Sequence, residues 1–187
     1  MRVVAGQAGG IPLHVPRTDV RPTMDRVKAA IFSSLGEKIV GARVLDLFAG
    51  TGALGIEALS RGSASAIFVE KNAHAVESIR RNLEKTHLSG DVRQADIFQF
   101  LDKSAAPAAY DIIFADPPYA KAPGEHDFGV ELLECASLIR TLAPEGIFIL
   151  EKIPGSPFPK IMRWECIRAR KYGSTETAFL RVNPAVA

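Results

Sequence analysis

Cysteine is nearly missing from this chain of 187 residues: only Cys135 and Cys166 occur, far apart and without metal-ligand spacing. That leaves no disulfide framework and no cysteine-held metal; both thiols are expected reduced and packed, Cys135 on the apolar face of a helix. Long apolar runs are lacking as well. No stretch approaches the roughly 20 residues of a membrane span, and the opening MRVVAGQAGG has too little apolar sequence for a secretory h-region. A cytoplasmic protein with no membrane partner is expected. Excess charge is also small, +2 overall, yet it is laid out unevenly: residues 1–43 carry +4, residues 44–151 carry −7 and residues 152–187 carry +5. Basic flanks around an acidic centre suit termini that meet a polyanion and a middle that binds a small, partly cationic ligand; an ordinary solvated surface can show the same pattern.

What the chain does have is alternation. With 47% hydrophobic and 24% charged residues it has the composition of one globular domain, expected as a monomer: a ribbon and helix over residues 1–40, then a core over 41–187. Short β-branched runs alternate with amphipathic segments, which predicts βαβ units and a parallel sheet. The strands read are 42–48, 65–70, 91–95, 110–115 and 146–151. Helices are read after Gly52, from Ala73 to Thr86, and after Asp127 as one segment, FGVELLECASLIRTL. Two strands flanking a KYGST turn, IMRWECIRARKYG and TAFLRV, predict an antiparallel edge. Ahead of the core, RVVAG and IPLHVP read as a small β-ribbon, and Thr23 can cap a helix running to Leu35.

Gly50-Thr51-Gly52-Ala53-Leu54-Gly55 is G-x-G-x-x-G between a strand and a helix, with Glu70 ending the next strand. The pattern suits any adenosine-bearing cofactor, NAD or S-adenosyl-L-methionine, with Glu70 accepting the ribose hydroxyls. Asp46 chooses between them. A carboxylate at the end of this strand repels a pyrophosphate and attracts a ligand carrying an ammonium and a sulfonium, by on the order of a few kcal/mol at an effective dielectric near 20. The other reading of Asp46 is a turn carboxylate held by backbone amides. Asp96, after the third strand, can accept from the adenine amine or cap a helix, and the two roles can coexist.

The segment FADPPY, Phe114 to Tyr119, ends the fourth strand with a carboxylate, two prolines and an aromatic ring. Two prolines remove two donors and stiffen the backbone, so the strand stops and Asp116 is held rigidly. In a doubly wound sheet this strand neighbours the first, so Asp116 should open onto the crevice beyond Gly50. An exocyclic aromatic amine is barely basic; to accept a methyl group its hydrogens must be engaged. The Asp116 carboxylate and the Pro117 carbonyl supply acceptors, Pro118 adds stiffness and Tyr119 stacks on the base. Positioning of this kind supplies roughly 7 to 11 kcal/mol without metal or covalent nucleophile. A plain Pro-Pro loop is the other reading.

With these residues assembled, the chain resembles the class I S-adenosyl-L-methionine-dependent methyltransferases, and more closely the RsmD family of bacterial 16S ribosomal RNA guanine-N2 methyltransferases. The resemblance runs through the ribbon, RPTMDRVKAAIFSSL, VLDLFAGTGALGIEALSRG, FVEKN, FADPPY and the late YGST. It implies an α/β, Rossmann-like fold with a seven-stranded mixed sheet whose last strand is antiparallel. It implies S-adenosyl-L-methionine at Asp46, Gly50, Gly52, Glu70 and Asp96, with Phe48, Thr51, Lys71 and Ile97 in the same pocket, and the target guanine at Asp116, Pro117, Pro118 and Tyr119. The polyanion is then ribosomal RNA, free or in an assembling 30S subunit, met by Arg2, Arg17, Arg21 and Arg26. Because this ribbon reads GQAGGIPLHVP where the family carries Arg and Lys, Arg168, Arg170 and Lys171 are expected to compensate. Alternative readings are adenine-N6 methylation of DNA or RNA, an NAD-dependent oxidoreductase, and a noncatalytic RNA-binding assembly factor on the same scaffold.

Overall fold

Apolar side chains alternate between two faces along neighbouring strands, and that alternation organises the molecule. The structure, a computed structural model, describes residues 1–15, 25–119, 125–155 and 163–183. Its strands are β1 (Arg43–Leu47), β2 (Ser65–Glu70), β3 (Asp91–Gln94), β4 (Tyr110–Ala115), β5 (Leu142–Lys152), β6 (Trp164–Tyr172) and β7 (Thr175–Val182). They form one sheet in the order β3-β2-β1-β4-β5-β7-β6. The first five pair in parallel, while β7 runs antiparallel between β5 and β6. The expected mixed sheet with an antiparallel edge is therefore present.

Val44, Ile112, Phe114, Ile147 and Ile149 face one core, against α1 (Asp25–Leu35), α2 (Ala53–Ser60), α3 (Ala73–Thr86) and the N-terminal ribbon. Leu45, Leu47, Ile113, Ala115, Phe148 and Leu150 face the other, against α4 (Ile97–Lys103), α5 (Phe128–Glu134) and α6 (Ala136–Thr141). Strands covered on both faces read as continuous apolar runs, which is why they stand out in the sequence. Helix α2 is buried along its whole length. It lies so close to the sheet that a Cβ at Gly55 would come within 2.3 Å of the Phe68 ring.

Two elements depart from expectation. Strand β5 begins at Leu142 rather than residue 146, with a register shift opposite Tyr110–Ile112. Pro144 and Gly146 fall in this irregular stretch, where a residue without an N–H is tolerated. The predicted single helix after Asp127 is two, α5 and α6, broken at Cys135 with ψ 107°. A continuing helix would use the Leu133 carbonyl for the amide four residues on; here it accepts the Trp164 indole N–H at 2.7 Å. Cys135 is thus a half-buried hinge residue, and Cys166 is exposed on β6 rather than packed. Thr23, expected to cap α1, lies outside the described residues.

The ribbon is present, closed by an antiparallel bridge between Arg2 and Pro12, and it is held to α2 by a buried charge. Glu57, fully buried, accepts the amides of Val4 and Ala5 at 2.6 and 3.0 Å and the Arg61 guanidinium at 2.7 Å. Lys28 of α1, also fully buried, lies 3.4 Å from Glu57 and donates to the Arg2 carbonyl at 2.5 Å. Burial pulls the Lys28 pKa down while Glu57 and Asp25 push it back up. Removing one member of such a group strands the other charge. Glu57→Ala is expected to cost about 3–5 kcal/mol in urea unfolding and to speed amide exchange at Val4 and Ala5; a near-neutral effect would show that the ribbon does not depend on it.

Candidate active site

In the parallel pairing of β1 with β4, Leu47 stands opposite Ala115, so the turn from Phe48 to Gly52 and the segment from Asp116 to Tyr119 leave the sheet side by side. One order of strands grows from β1 through β2 to β3, the other from β4 outward. This is the topological switch point of a doubly wound sheet, where ligands bind. The glycine motif and DPPY, distant in the chain, are brought together as expected.

The turn is tightly determined. Gly50 and Gly52 have φ of 56° and 77°, the left-handed region that glycine enters without strain. The Gly50 amide donates to Glu70 Oε2 at 3.0 Å, and Glu70 Oε1 accepts from Asn72 at 2.8 Å. Glu70 therefore braces the turn while ending β2 at the crevice. Asp46 is almost fully buried on β1 and accepts the Gly55 amide of α2 at 2.9 Å. Burial pushes its pKa up to about 8; the Gly55 bond opposes this, and the charges of Asp116 and Glu70 add to it. Three carboxylates thus converge from β1, β2 and β4, and among the described residues the charges acting on Asp46 are both negative.

Asp96 caps α4, its Oδ1 accepting from Phe98 and Gln99 at 3.0 and 3.3 Å; Ile97 is buried behind it. Lys71 is exposed, its ammonium 5.9 Å from the centre of the Phe128 ring. That ring also meets Phe48 at 5.5 Å and Phe98 at 6.5 Å. In DPPY, Asp116 and Tyr119 are half-buried, Pro117 is buried and Pro118 is exposed. The Tyr119 hydroxyl lies 3.4 Å from Thr175 Oγ1, which ties DPPY to the YGST turn between β6 and β7. Phe98, Phe128 and Thr175 were not singled out as site residues. Thr175 had a signal in YGST; each Phe sits in the first turn behind a capping Asp, a pattern that marks a helix start and carries no sign of what the ring will touch.

The basic residues divide. Arg2 and Arg26 are exposed at the ribbon and α1, Arg2 lying 3.9 Å from Asp25. Arg168, Arg170 and Lys171 are exposed on the edge strand β6. Arg168 pairs with Phe179 and Arg170 with Thr177. Phe179 belongs to the core under α1 and the ribbon, so both arginines stand on that face of the sheet. Arg17 and Arg21 lie outside the described residues.

A carboxyl whose pKa is higher folded than unfolded stabilises fully below its unfolded pKa and loses that contribution as pH rises through the folded value. For Asp46, faced by Asp116 and Glu70, the window runs from the ordinary carboxylate range to about 8. The ligand-free protein should lose stability to urea between pH 5 and 8 more steeply than Asp46→Asn, whose amide oxygen can still accept from Gly55. Parallel profiles would show that Asp46 is not a buried titrating group.

The chain matches the family model described as Conserved hypothetical protein 95 over residues 1–181. It is 34% identical over 177 residues to ribosomal RNA small subunit methyltransferase D of Escherichia coli K12, covering 92% of this chain and 85% of that protein. A solved hypothetical protein of Thermus thermophilus superposes with a TM-score of 0.81 at 28% identity, covering 97% of this chain and 99% of that one. The 16S rRNA N2 G1207 methyltransferase RsmC of T. thermophilus, solved with AdoMet and guanosine, shares the fold with a TM-score of 0.68 at 21% identity, over 91% of this chain and 46% of that one. The fold is the Rossmann-like fold of class I methyltransferases, and the chain belongs to the Conserved hypothetical protein 95 family, that of ribosomal RNA small subunit methyltransferase D.

Proposed function

We propose that this protein transfers a methyl group from S-adenosyl-L-methionine to the exocyclic N2 of a guanine in 16S ribosomal RNA. The observation that carries the reading is the placement of the donor turn beside DPPY at one switch point, in a chain of this family. The residues present fit the donor. A crevice whose acid is pushed toward neutrality by burial, with two further acids adding to it, favours a ligand bringing an ammonium and a sulfonium, which let Asp46 ionise. Asp46 and the Gly50–Gly52 turn hold the amino-acid end, Glu70 the ribose, and Asp96 with Ile97, Phe48 and Lys71 the adenine side. The donor supplies an electrophilic methyl carbon on a positive sulfur.

The chain's own work is positioning. The Asp116 carboxylate and the Pro117 carbonyl engage the hydrogens of the target amine, so its lone pair is directed at the methyl carbon, and the carboxylate takes the proton that the amine gives up on methylation. Tyr119, anchored toward Thr175, stacks on the base, and stacking worth about 1–3 kcal/mol per base offsets part of the cost of turning the base out of a helix. Positioning of this kind requires neither a metal nor a covalent nucleophile. The RNA runs over the face that carries Arg2, Arg26, Arg168 and Arg170, with Lys171, Arg17 and Arg21 as further contacts; residues 1–40 act as an RNA-contacting extension on a monomeric core. Small-subunit RNA, free or in an assembling 30S particle, is the substrate, and the cytoplasm is the place of action.

Nucleoside mass spectrometry of 16S RNA from cells with and without the gene is the test: N2-methylguanosine should fall in the deletion, and an unchanged level would sink the reading. In vitro, Asp116→Ala should lower methylation roughly a hundredfold, the scale expected when a reacting group is misplaced, while affinity for S-adenosylhomocysteine changes little. Tyr119→Ala should weaken RNA more than cofactor. Near-normal turnover in Asp116→Ala would refute the amine clamp.

A further inference from the structure

The Gly50-Thr51-Gly52 turn carries a glycine on each side of Thr51, so neither flanking residue resists rotation of the intervening peptide groups. Glu70 fixes the Gly50 amide, and the Gly52 amide donates to the Ala49 carbonyl at 2.7 Å. The Thr51 carbonyl is held from outside the turn. Asn82 of α3, fully buried, donates to it at 2.9 Å. The same amide nitrogen donates to the His14 carbonyl at 3.0 Å, and the amide oxygen accepts the His14 N–H at 2.7 Å. An asparagine has two N–H donors and one carbonyl acceptor, and all are used here. The orientation is unambiguous, since a flipped amide would set N–H against N–H and oxygen against two carbonyls.

His14 is not an arbitrary partner. The ribbon is laced by Val3 with Ile11 and Gly10, and the Leu13 amide donates to the Met1 carbonyl at 3.1 Å, so Met1 and His14 stand together at its open end. Met1 also reaches the site: its sulfur lies 3.7 Å from the Thr51 hydroxyl. The middle of the ribbon docks elsewhere, on Glu57 and on Ser60, whose hydroxyl accepts from Ala8 at 3.0 Å and donates to Ala5 at 2.6 Å. One end of the ribbon therefore abuts the donor turn while its body rests on α2.

We propose that Asn82 is a positioning residue for methyl transfer, fixing the Thr51 peptide of the donor turn and clamping the ribbon at His14, so that the N-terminal ribbon forms part of the donor site. The inference rests on the assignment of this turn to S-adenosyl-L-methionine. It makes a single buried amide the joint between the element assigned to RNA and the element assigned to the cofactor. Whatever displaces the ribbon at His14 loosens the carbonyl that Asn82 holds in the turn.

The test compares Asn82→Ala and Asn82→Asp with Ser60→Ala, which loosens the ribbon without touching Thr51. Thermal unfolding, calorimetric titration with S-adenosylhomocysteine, and steady-state kinetics with small-subunit RNA are measured for each full-length protein. Asn82→Ala should weaken S-adenosylhomocysteine about tenfold, as expected for loss of one buried hydrogen bond, and raise the donor KM by the same factor. The kcat at saturating donor should stay near wild type. Asn82→Asp keeps the volume and the acceptor for the His14 amide but sets a carboxylate oxygen against the Thr51 and His14 carbonyls, and should show at least the same donor defect. Ser60→Ala should lower the melting temperature with little change in donor affinity. Wild-type donor affinity in both Asn82 variants, or a loss that merely tracks melting temperature as in Ser60→Ala, would overturn the proposal. Failure of the wild-type protein to bind S-adenosylhomocysteine would instead overturn the donor assignment on which it stands.

Discussion

The constraint on which the site depends is the side-by-side parallel pairing of β1 and β4. The chain lays β2 and β3 on one flank of β1, then returns across it to start the other flank. The connections after β1 and β4 consequently leave for opposite faces. Helix α2 packs with α1 and α3 on one side, and α5 packs with α4 and α6 on the other. Two loops that diverge from adjacent strand ends leave a crevice between them, and no side chain has to be carved away to make it. Asp46, Glu70 and Asp116 then follow from strand length: each lies within one residue of the end of a strand that stops at this edge.

Acids gathered at one edge of a sheet are a burden to the ligand-free protein. Asp46 bears the largest part, since it is buried and faces two neighbours of its own sign. A structural carboxylate in that position would ordinarily be matched by a cation, as Glu57 is matched by Lys28 and Arg61. The same helix thus shows both arrangements: Glu57 within α2 is paired by the protein, whereas Asp46, bound to the α2 backbone at Gly55, faces acids. Under the proposed function a cationic ligand would complete that group, which ties the electrostatics of the crevice to the chemistry proposed for it.

Much of this was legible because it is local. Strands β2 and β4 and helix α3 lie where the apolar pattern places them, and Glu70, Asp116 and the glycine turn meet because strand ends and strand order determine where they go. What was not legible depends on partners distant in sequence. Nothing near Leu133 announces that Trp164 will take its carbonyl and split a helix. Asn82 reads as one more polar residue on α3, and its role exists only because Thr51 and His14 arrive from 31 and 68 positions away. The pairing of Lys28 with Glu57 is likewise invisible, since a lysine on an amphipathic helix usually faces water. Asp96 shows the intermediate case: its cap was readable, and the cap itself places Phe98 beside Phe128.

The glycine-rich turn raises a question of rigidity that the two faces of the sheet answer together. Phe48, which leads into it, has φ 55°, a conformation that costs a non-glycine residue about 1–3 kcal/mol unless its surroundings hold it. Its ring meets Phe128 at the start of α5, and Phe128 in turn meets Phe98 and His126. On that face the turn is tied to the helix that follows DPPY; on the other, Asn82 ties it to α3 and the ribbon. Remove either tie and the glycines would allow the turn to relax, because a backbone without Cβ atoms offers several conformations of similar energy. A glycine turn pinned from both sides is coupled by packing to the helix that follows DPPY and by hydrogen bonds to the N-terminal ribbon, so its geometry depends on both.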